Sequence, residues 1–494
     1  MTRTTALSGV RRHALVYGFG TLASKAVSFI MLPVYTRVLT PADYGVMELI
    51  GLTLDVISII GGAQLAHGIF RFYHKAEDER DRHRVVSTAL FGLGLSYGAV
   101  GLVTLLASDL IARLVFGDAT NGELIRLAAL TLGLQGVATV ASTYARLQEF
   151  STLVVASNLV RLVLQLGCNI LFVVVLRIGV AGVFWSNLIA TAIVTVAMTV
   201  WVMGRVGAGI DRQALGSLTR YGLPLVATNV ATFFVAFGDR YFIEATHGTA
   251  EVGRYSLAYQ FGFLLASIGY APFTAVWDSR RFAIALDPDR DALYSRAFLG
   301  MNLWLIPMAV GMGLFAPEVL RVMTTPDYFM PPAVIVFILV SYILQGWTHI
   351  HEIGILLAEK TRYVAVANWI AAGVAAIAYA LLIPPLGGLG AAVATIIAMS
   401  ARFTAVYVYS QRLTPISWRW GPSLRLAGIA AAAMAVGAVL PMMTIGPSFA
   451  LRGTTFVAFA VAVWLAPDVL GERERAIVRL AFRSPQQALA ALRG

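Results

Sequence analysis

Charge is scarce in this sequence. Only 13% of the 494 residues are Asp, Glu, Lys or Arg, while 58% are hydrophobic and the mean hydropathy is +0.76. Soluble globular chains carry roughly a quarter of their residues charged. A chain of this length with half that share cannot cover itself in water, which excludes a soluble protein and points to lipid as the solvent. Cysteine is all but absent. Cys168 stands alone, which rules out an intramolecular disulfide and any multi-cysteine metal site, and within its apolar run it reads as a small buried hydrophobe. The sequence also lacks a GxxxxGK[ST] loop and an HExxH pair, so neither a nucleotide cofactor nor a zinc centre is expected. Gly92-Leu93-Gly94 falls inside an apolar run, where glycines serve helix packing.

What is present is a series of long apolar stretches. Spans of about 20 residues can be marked at 14–35, 45–68, 85–107, 123–143, 152–175, 180–203, 221–243, 252–277, 293–315, 332–357, 363–385, 388–410, 423–443 and 451–469. The expectation is an all-α membrane protein with about 14 transmembrane helices. Arg3, Arg11 and Arg12 precede Ala14 to Tyr35 as they would a leader. That run is as long as a spanning helix, though, and no small-residue cleavage site follows a short apolar core, so it reads as a retained first span.

Orientation follows from the basic residues, because basic loops stay cytoplasmic. With the N-terminus inside, the inner segments hold 24 of the 37 Lys and Arg residues, and the outer connectors hold five: Arg37, Arg113, Arg177, Arg321 and Arg452. Membrane topology therefore accounts for the net charge of +11, and nucleic acid is not expected as a partner. Both termini are expected in the cytoplasm. The basic stretch from Gly471, with Arg473, Arg475, Arg479 and Arg483 among apolar residues, suits either a headgroup-bound helix or a solvated tail.

A weak repeat recurs after about 204 residues. Tyr17-Gly18 begins a run that reaches Arg37 and then Tyr44-Gly45; Tyr221-Gly222 begins one that reaches Asp239-Arg240 and then Val252-Gly253. Both start on the cytoplasmic side, so the repeats are parallel. They divide the chain into six-helix lobes at 1–204 and 205–412 around a central cavity, as alternating access requires, followed by two helices at 413–470 and a basic tail at 471–494.

Ionisable groups in hydrocarbon cost a few kcal/mol each, so they face a cavity or a partner. Gly18, Thr21, Lys25 and Ser28 share one helical face in the first span. Glu48, Asp55 and Ser58 lie in the second, Asn158, Arg161 and Gln165 in the fifth, Asn229, Thr232 and Asp239 in the seventh. Ser341, Gln345, His349 and Glu352 step along the tenth, and Thr395 and Arg402 lie in the twelfth. Any one of these can be glue between helices, as in a Lys25–Asp55 pair or an Asp239–Arg240 anchor. Together they point to a cationic cavity of Lys25, Arg161 and Arg402 for an anionic headgroup such as a pyrophosphate, with Asp55 as charge partner of Lys25. His349, Glu352 and Asp239 are candidates for a coupling ion, with a satisfied structural histidine as the competing reading for His349. Trp185 and Tyr259 read as lipid-interface or packing aromatics.

At 32–45, the stretch LPVYTRVLTPADYG resembles the opening of the polysaccharide-export, or O-antigen flippase, family of the multidrug/oligosaccharidyl-lipid/polysaccharide (MOP) exporter superfamily. Arg220-Tyr221-Gly222-Leu223-Pro224-Leu225, Asp239-Arg240-Tyr241-Phe242-Ile243 and Val252-Gly253-Arg254-Tyr255-Ser256-Leu257-Ala258-Tyr259 are similar to stretches of its second half. The resemblance implies a non-enzymatic protein of the bacterial inner membrane. Such a protein flips undecaprenyl-pyrophosphate-linked oligosaccharide to the periplasmic leaflet, among membrane lipids and beside a polysaccharide polymerase or glycosyltransferases. A peptidoglycan-precursor flippase and a drug exporter are the alternatives within the superfamily, the latter opposed by the basic cavity. A membrane glycosyltransferase or polymer ligase is opposed by the short outer connectors.

Overall fold

The computed structural model describes residues 31–62, 65–75, 78–441, 444–471 and 475. Among these every regular element is a helix. Ten helices among the described residues are long and apolar enough to cross a membrane, so the fold is that of a multi-pass membrane protein. One of the ten, Arg362–Leu413, is two helices joined across Gly387, whose φ of 56° and ψ of −133° suit glycine alone. Pro384 and Pro385 precede that break. The first expected span lies mostly outside the described residues, with α1 helical over 31–38. The seventh and eighth are helical but do not stand among the ten; there, Val226–Phe237 is counted as a shorter apolar helix.

The remaining elements relevant here are α2 (Pro41–Gly61), α3 (Leu65–Lys75), α4 (Glu79–Leu106), α5 (Ser108–Phe116), α6 (Gly122–Leu147), α7 (Ser151–Asn169), α8 (Val180–Val206), α9 (Arg212–Phe237), α10 (Asp239–His247) and α11 (Thr249–Leu264). They are followed by α12 (Ala271–Ile284), α13 (Arg290–Met323), α14 (Pro332–His351), α15 (Ile353–Leu357), α16 (Arg362–Leu413), α17 (Trp420–Val439) and α18 (Ile445–Leu465). Local sequence sets the ends. Pro41 opens α2, and Thr40 caps it in a reciprocal box in which Thr40 Oγ1 accepts from the Asp43 amide and Asp43 accepts from the Thr40 amide. Asp211 accepts from the amides of Gln213 and Ala214 to start α9.

Two compact units emerge. Unit 1 comprises Met1–Ser256, Met323–Phe329 and Ala375–Ala391, and unit 2 comprises Leu257–Val322, Met330–Val374 and Ala392–Gly494. This division follows compactness, whereas the boundary near 204 follows sequence similarity, and the two are different partitions. In unit 1, Val86, Leu90, Leu93, Val140, Tyr144, Met198 and Leu218 form a core through which α4, α6, α8 and α9 pack. In unit 2, Ile306, Val310 and Leu314 of α13 pack on Leu426 and Ala430 of α17 and on Phe459 and Val463 of α18. The last two helices thus share a core with α13.

Arg452, assigned from sequence to an outer connector, lies inside α18. Its Nε is 2.6 Å from Glu318 Oε1, and its Nη1 donates to the Leu314 carbonyl at 2.7 Å. Ser448 also donates to Glu318. Glu318 is fully buried. Removing one partner of such a pair costs about 3–5 kcal/mol, because the other charge is left stranded.

Candidate functional site

The densest ionic cluster among the described residues forms within unit 2. Its foundation is a six-residue π-helical stretch, Leu265–Tyr270, between α11 and α12. Wide turns of this kind re-aim the side chains that follow and are frequent at functional sites. Trp304 Nε1 donates to the Gly269 carbonyl at 3.1 Å and satisfies one backbone group there. Helix α12 then runs to Ile284, past the point where the sequence suggested a connector. Its end comes just before Asp287-Pro288, where the proline disfavours helical geometry in the residue before it. Asp278 and Arg281, three residues apart on α12, consequently share a face.

Opposite them stand His349 of α14 and Glu352, the residue that caps α14 before α15. The four side chains close a ring. His349 Nε2 lies 3.0 Å from Asp278 Oδ1 and its Nδ1 lies 3.1 Å from Glu352 Oε1. Arg281 Nη1 reaches the same two oxygens, at 3.3 Å to Asp278 and 3.2 Å to Glu352. A histidine can donate to two carboxylates at once only as the imidazolium. In that form the ring holds two cations and two anions. The hydroxyl of Tyr294 donates to the Arg281 carbonyl at 2.9 Å and steadies α12 behind the ring.

Arg402, on the second half of α16, interacts electrostatically with Glu352 and with Tyr270. No carboxylate lies within ion-pair distance of it among the described residues, and its Nε is buried without a hydrogen-bond partner, as is that of Arg281. The ring plus Arg402 therefore carries a net positive charge when His349 holds its proton. His351 points elsewhere. It is wholly buried among Phe298, Trp418 and Trp420, and its Nδ1 is 2.8 Å from the Trp347 carbonyl.

Unit 1 holds a different polar arrangement. Asp239 and Arg240 are both wholly buried, paired at 2.6 Å, and Tyr255 donates to the second Asp239 oxygen at 2.6 Å. Arg240 also donates to the Ala236 carbonyl and lies 5.2 Å from the ring centres of Phe237 and Tyr255. On α2, Glu48 feels the charges of Arg240 and Asp55. Asp55 itself is exposed. Thr53 and the Tyr241 hydroxyl are 3.0 Å apart.

The residues singled out from sequence thus fall into separate groups. His349, Glu352 and Arg402 come together in unit 2, joined by Asp278, Arg281 and Tyr270, which sequence reasoning left aside. The three-residue spacing of Asp278 and Arg281, directly after an expected span, was the available signal. Arg161 sits exposed on α7 in unit 1 and makes no ion pair among the described residues. Asp239 is engaged by Arg240 and Tyr255. Lys25, and with it the Lys25–Asp55 pair, lies outside the described residues, as does the basic tail apart from Gly471 and Arg475. Trp185 is 42% exposed, while Tyr259 is buried against Phe263 and Tyr342. No group of three or more His, Cys, Asp and Glu side chains among the described residues could hold a metal ion.

Comparison with known proteins accords with this membrane architecture. A structure titled "Lipid II flippase MurJ, inward closed conformation" superposes with a TM-score of 0.74 at 11% identity, covering 91% of this chain and 99% of that one. A multidrug resistance MATE family transporter of the MOP superfamily, in an inward-facing conformation, gives 0.63 at 14% identity over 80% of this chain and 97% of its own. An outward-facing MATE structure gives 0.56 at 14% identity over 81% and 94%. At these identities the likeness establishes the fold alone, one shared with these flippase and transporter structures. No curated protein matches the sequence. The family described as "Polysaccharide biosynthesis protein" matches residues 34–329, more than half of the chain, and the protein belongs to that family.

Proposed function

We propose that the chain is a flippase that moves an undecaprenyl-pyrophosphate-linked oligosaccharide from the cytoplasmic to the periplasmic leaflet of the bacterial inner membrane, with both termini in the cytoplasm. The observation that carries this reading is Arg402, an arginine in a spanning helix with no carboxylate in pairing distance among the described residues, beside a ring whose second arginine also has an Nε without a hydrogen-bond partner there. An uncompensated guanidinium in a medium of low dielectric attracts a diphosphate strongly, and its planar fork fits phosphate oxygens. Membership of a polysaccharide biosynthesis family on a MOP-type fold supplies the context.

Within the proposal, Arg402 binds the diphosphate. The carboxylates of Asp278 and Glu352 hold Arg281 and His349 in place while the site is empty. Lys25 and Arg161 are proposed, on the sequence argument alone, as further diphosphate contacts, with Asp55 as the counter-charge of Lys25. The proton on His349, shared toward Glu352, is the candidate coupling ion; Asp239 would serve only if its pairing with Arg240 opened. The oligosaccharide would be handed to a polymerase or glycosyltransferases on the outer side, and no chemistry on the substrate is assigned to this chain.

The resemblance in fold to a lipid II flippase favours a second reading, in which the cargo is a peptidoglycan precursor. Both cargoes share the polyprenyl diphosphate, so the glycan discriminates them. Purified protein in proteoliposomes, loaded with one lipid-linked glycan at a time, should expose the sugar to an impermeant lectin faster than protein-free vesicles do. Equal exposure with and without protein, for every lipid-linked glycan supplied, would overturn the proposal. Exposure of the peptidoglycan precursor alone would select the second reading.

A further inference from the structure

Inside unit 1, the first turns of α2 and α11 meet backbone to backbone. A Cβ on Gly45 would strike the Thr249 carbonyl oxygen and stand 3.0 Å from the Gly253 nitrogen. A Cβ on Gly253 would strike the Pro41 carbonyl oxygen and stand 3.0 Å from the Gly45 nitrogen. The contact is reciprocal. Pro41 and Thr249 are separated by 208 residues, and so are Gly45 and Gly253. Reciprocal contact between equivalent residues is the signature of a two-fold axis, so a local dyad passes between the two glycines. These are the positions at which the sequence repeat places Tyr44-Gly45 and Val252-Gly253.

Around the dyad, contacts join segments distant in sequence. Thr36 Oγ1 donates to the Met323 carbonyl at 2.9 Å, and Tyr328 donates to the Leu39 carbonyl at 2.9 Å. The Tyr328 ring stands edge-on to Tyr44 at 6.2 Å, and Arg254 Nε donates to the Asp327 carbonyl at 2.8 Å. All three of these hydrogen bonds end on backbone carbonyls, and the crossing itself involves no side chain. A crossing of small residues lets two backbones approach closely and also part without any side chain changing rotamer.

We infer that the Gly45–Gly253 crossing is the outer closure of the transport cycle, a backbone seal to which each repeat contributes one glycine and which parts when the outer side opens. The inference rests on the flippase function proposed above, with the topology and alternating access expected from the sequence. A methyl group at either glycine meets a carbonyl oxygen, which cannot swing aside as a flexible side chain would. An alanine there should prop the seal open.

The test uses the full-length chain in liposomes with Cys168→Ser, which leaves no native cysteine, and with Pro41→Cys and Thr249→Cys. A short, reducible bis-thiosulfonate should cross-link the pair in the resting protein. The link should cut flipping of the lipid-linked glycan at least tenfold, and reduction should restore it. Gly45→Ala and Gly253→Ala, each added to the pair, should lower cross-linking several-fold. Absence of a cross-link in the resting protein, undiminished flipping through the cross-linked protein, or unchanged cross-linking in both alanine variants would overturn the inference. Cross-link yield is read without substrate. Failure of the uncross-linked protein to flip any lipid-linked glycan would therefore remove the proposed function while the yields still decide the seal. If an alanine variant does not insert, the cysteine pair alone decides.

Discussion

In unit 1 the pair Asp239–Arg240 is wholly buried and closed by Tyr255 and the Ala236 carbonyl, whereas in unit 2 the ring around His349 leaves Asp278 46% exposed and Arg402 without an ion pair among the described residues. Both arrangements put charge where a hydrocarbon environment penalises it. They differ in whether the charges balance locally. The unit 1 network spends its oxygens on its own partners, so it can fix helix α10 against α11 but offers little to a ligand. The unit 2 cluster keeps a cation in excess, and excess charge is what an incoming anion can use. Burial of charge alone therefore does not mark a place where an anion could bind; an unbalanced, partly open cluster is the better candidate.

The largest expected effect breaks the comparison on its open side. Arg402→Gln should reduce flipping by about tenfold to a hundredfold, the worth of one lost charge-assisted hydrogen bond at about 1.5–3 kcal/mol, with normal insertion and an unchanged melting temperature. Arg402→Lys should recover only part of the rate, because a single ammonium does not reproduce the guanidinium fork. Flipping at the wild-type rate by Arg402→Gln would show that the excess charge has no part in transport.

The closed side should respond in the opposite manner. Asp239→Asn strands Arg240 in a fully buried position, at an expected cost of about 3–5 kcal/mol, read as a lowered melting temperature in detergent and a smaller inserted fraction. Flipping per inserted molecule should stay near wild type. Replacing both partners, Asp239→Leu with Arg240→Met, should regain much of the lost stability. If Asp239→Asn kept full stability and instead abolished flipping, the roles of the two networks would have to be exchanged.

Much of this fold is readable along the chain because a spanning helix declares itself locally. The stretches 123–143 and 332–357 lie within or on Gly122–Leu147 and Pro332–Leu357, and the double glycine after Pro385 marks the break inside Arg362–Leu413. The ring is different. Asp278 and His349 are 71 residues apart, and their meeting depends on how α12 packs against α14, which no local pattern states. Asp278 and Arg281 were read as connector residues because charge was taken to end a span, yet α12 continues because nothing breaks it before Asp287-Pro288. Arg452 misled in the same way, since an arginine near a span end looks exposed until Glu318, 134 residues earlier in the chain, is placed beside it. Partners from other helices, absent from any local window, decide the meaning of a charge in a membrane protein.

A smaller effect sharpens the comparison at the edge of unit 1, beyond its closed network. Glu244, near the end of α10, is half-buried, and burial reinforced by the nearby Asp118 raises its carboxyl from 4.5 to about 7. Its Oε2 has no hydrogen-bond partner. Asp118 shows the reverse, held below its usual range by hydrogen bonds from Thr120. Because the folded-state value of Glu244 lies above the unfolded one, its protonated form favours the fold. That contribution is complete below about pH 4.5 and is lost as pH rises through about 7. The wild-type protein should therefore lose melting temperature between pH 5 and about pH 8, modestly, since the group is partly solvated and its charges are screened. Glu244→Gln should flatten that slope without altering stability at pH 5, and Asp118→Asn should reduce it by removing the like charge. A slope of equal size in wild type and Glu244→Gln would place the pH dependence elsewhere in the chain.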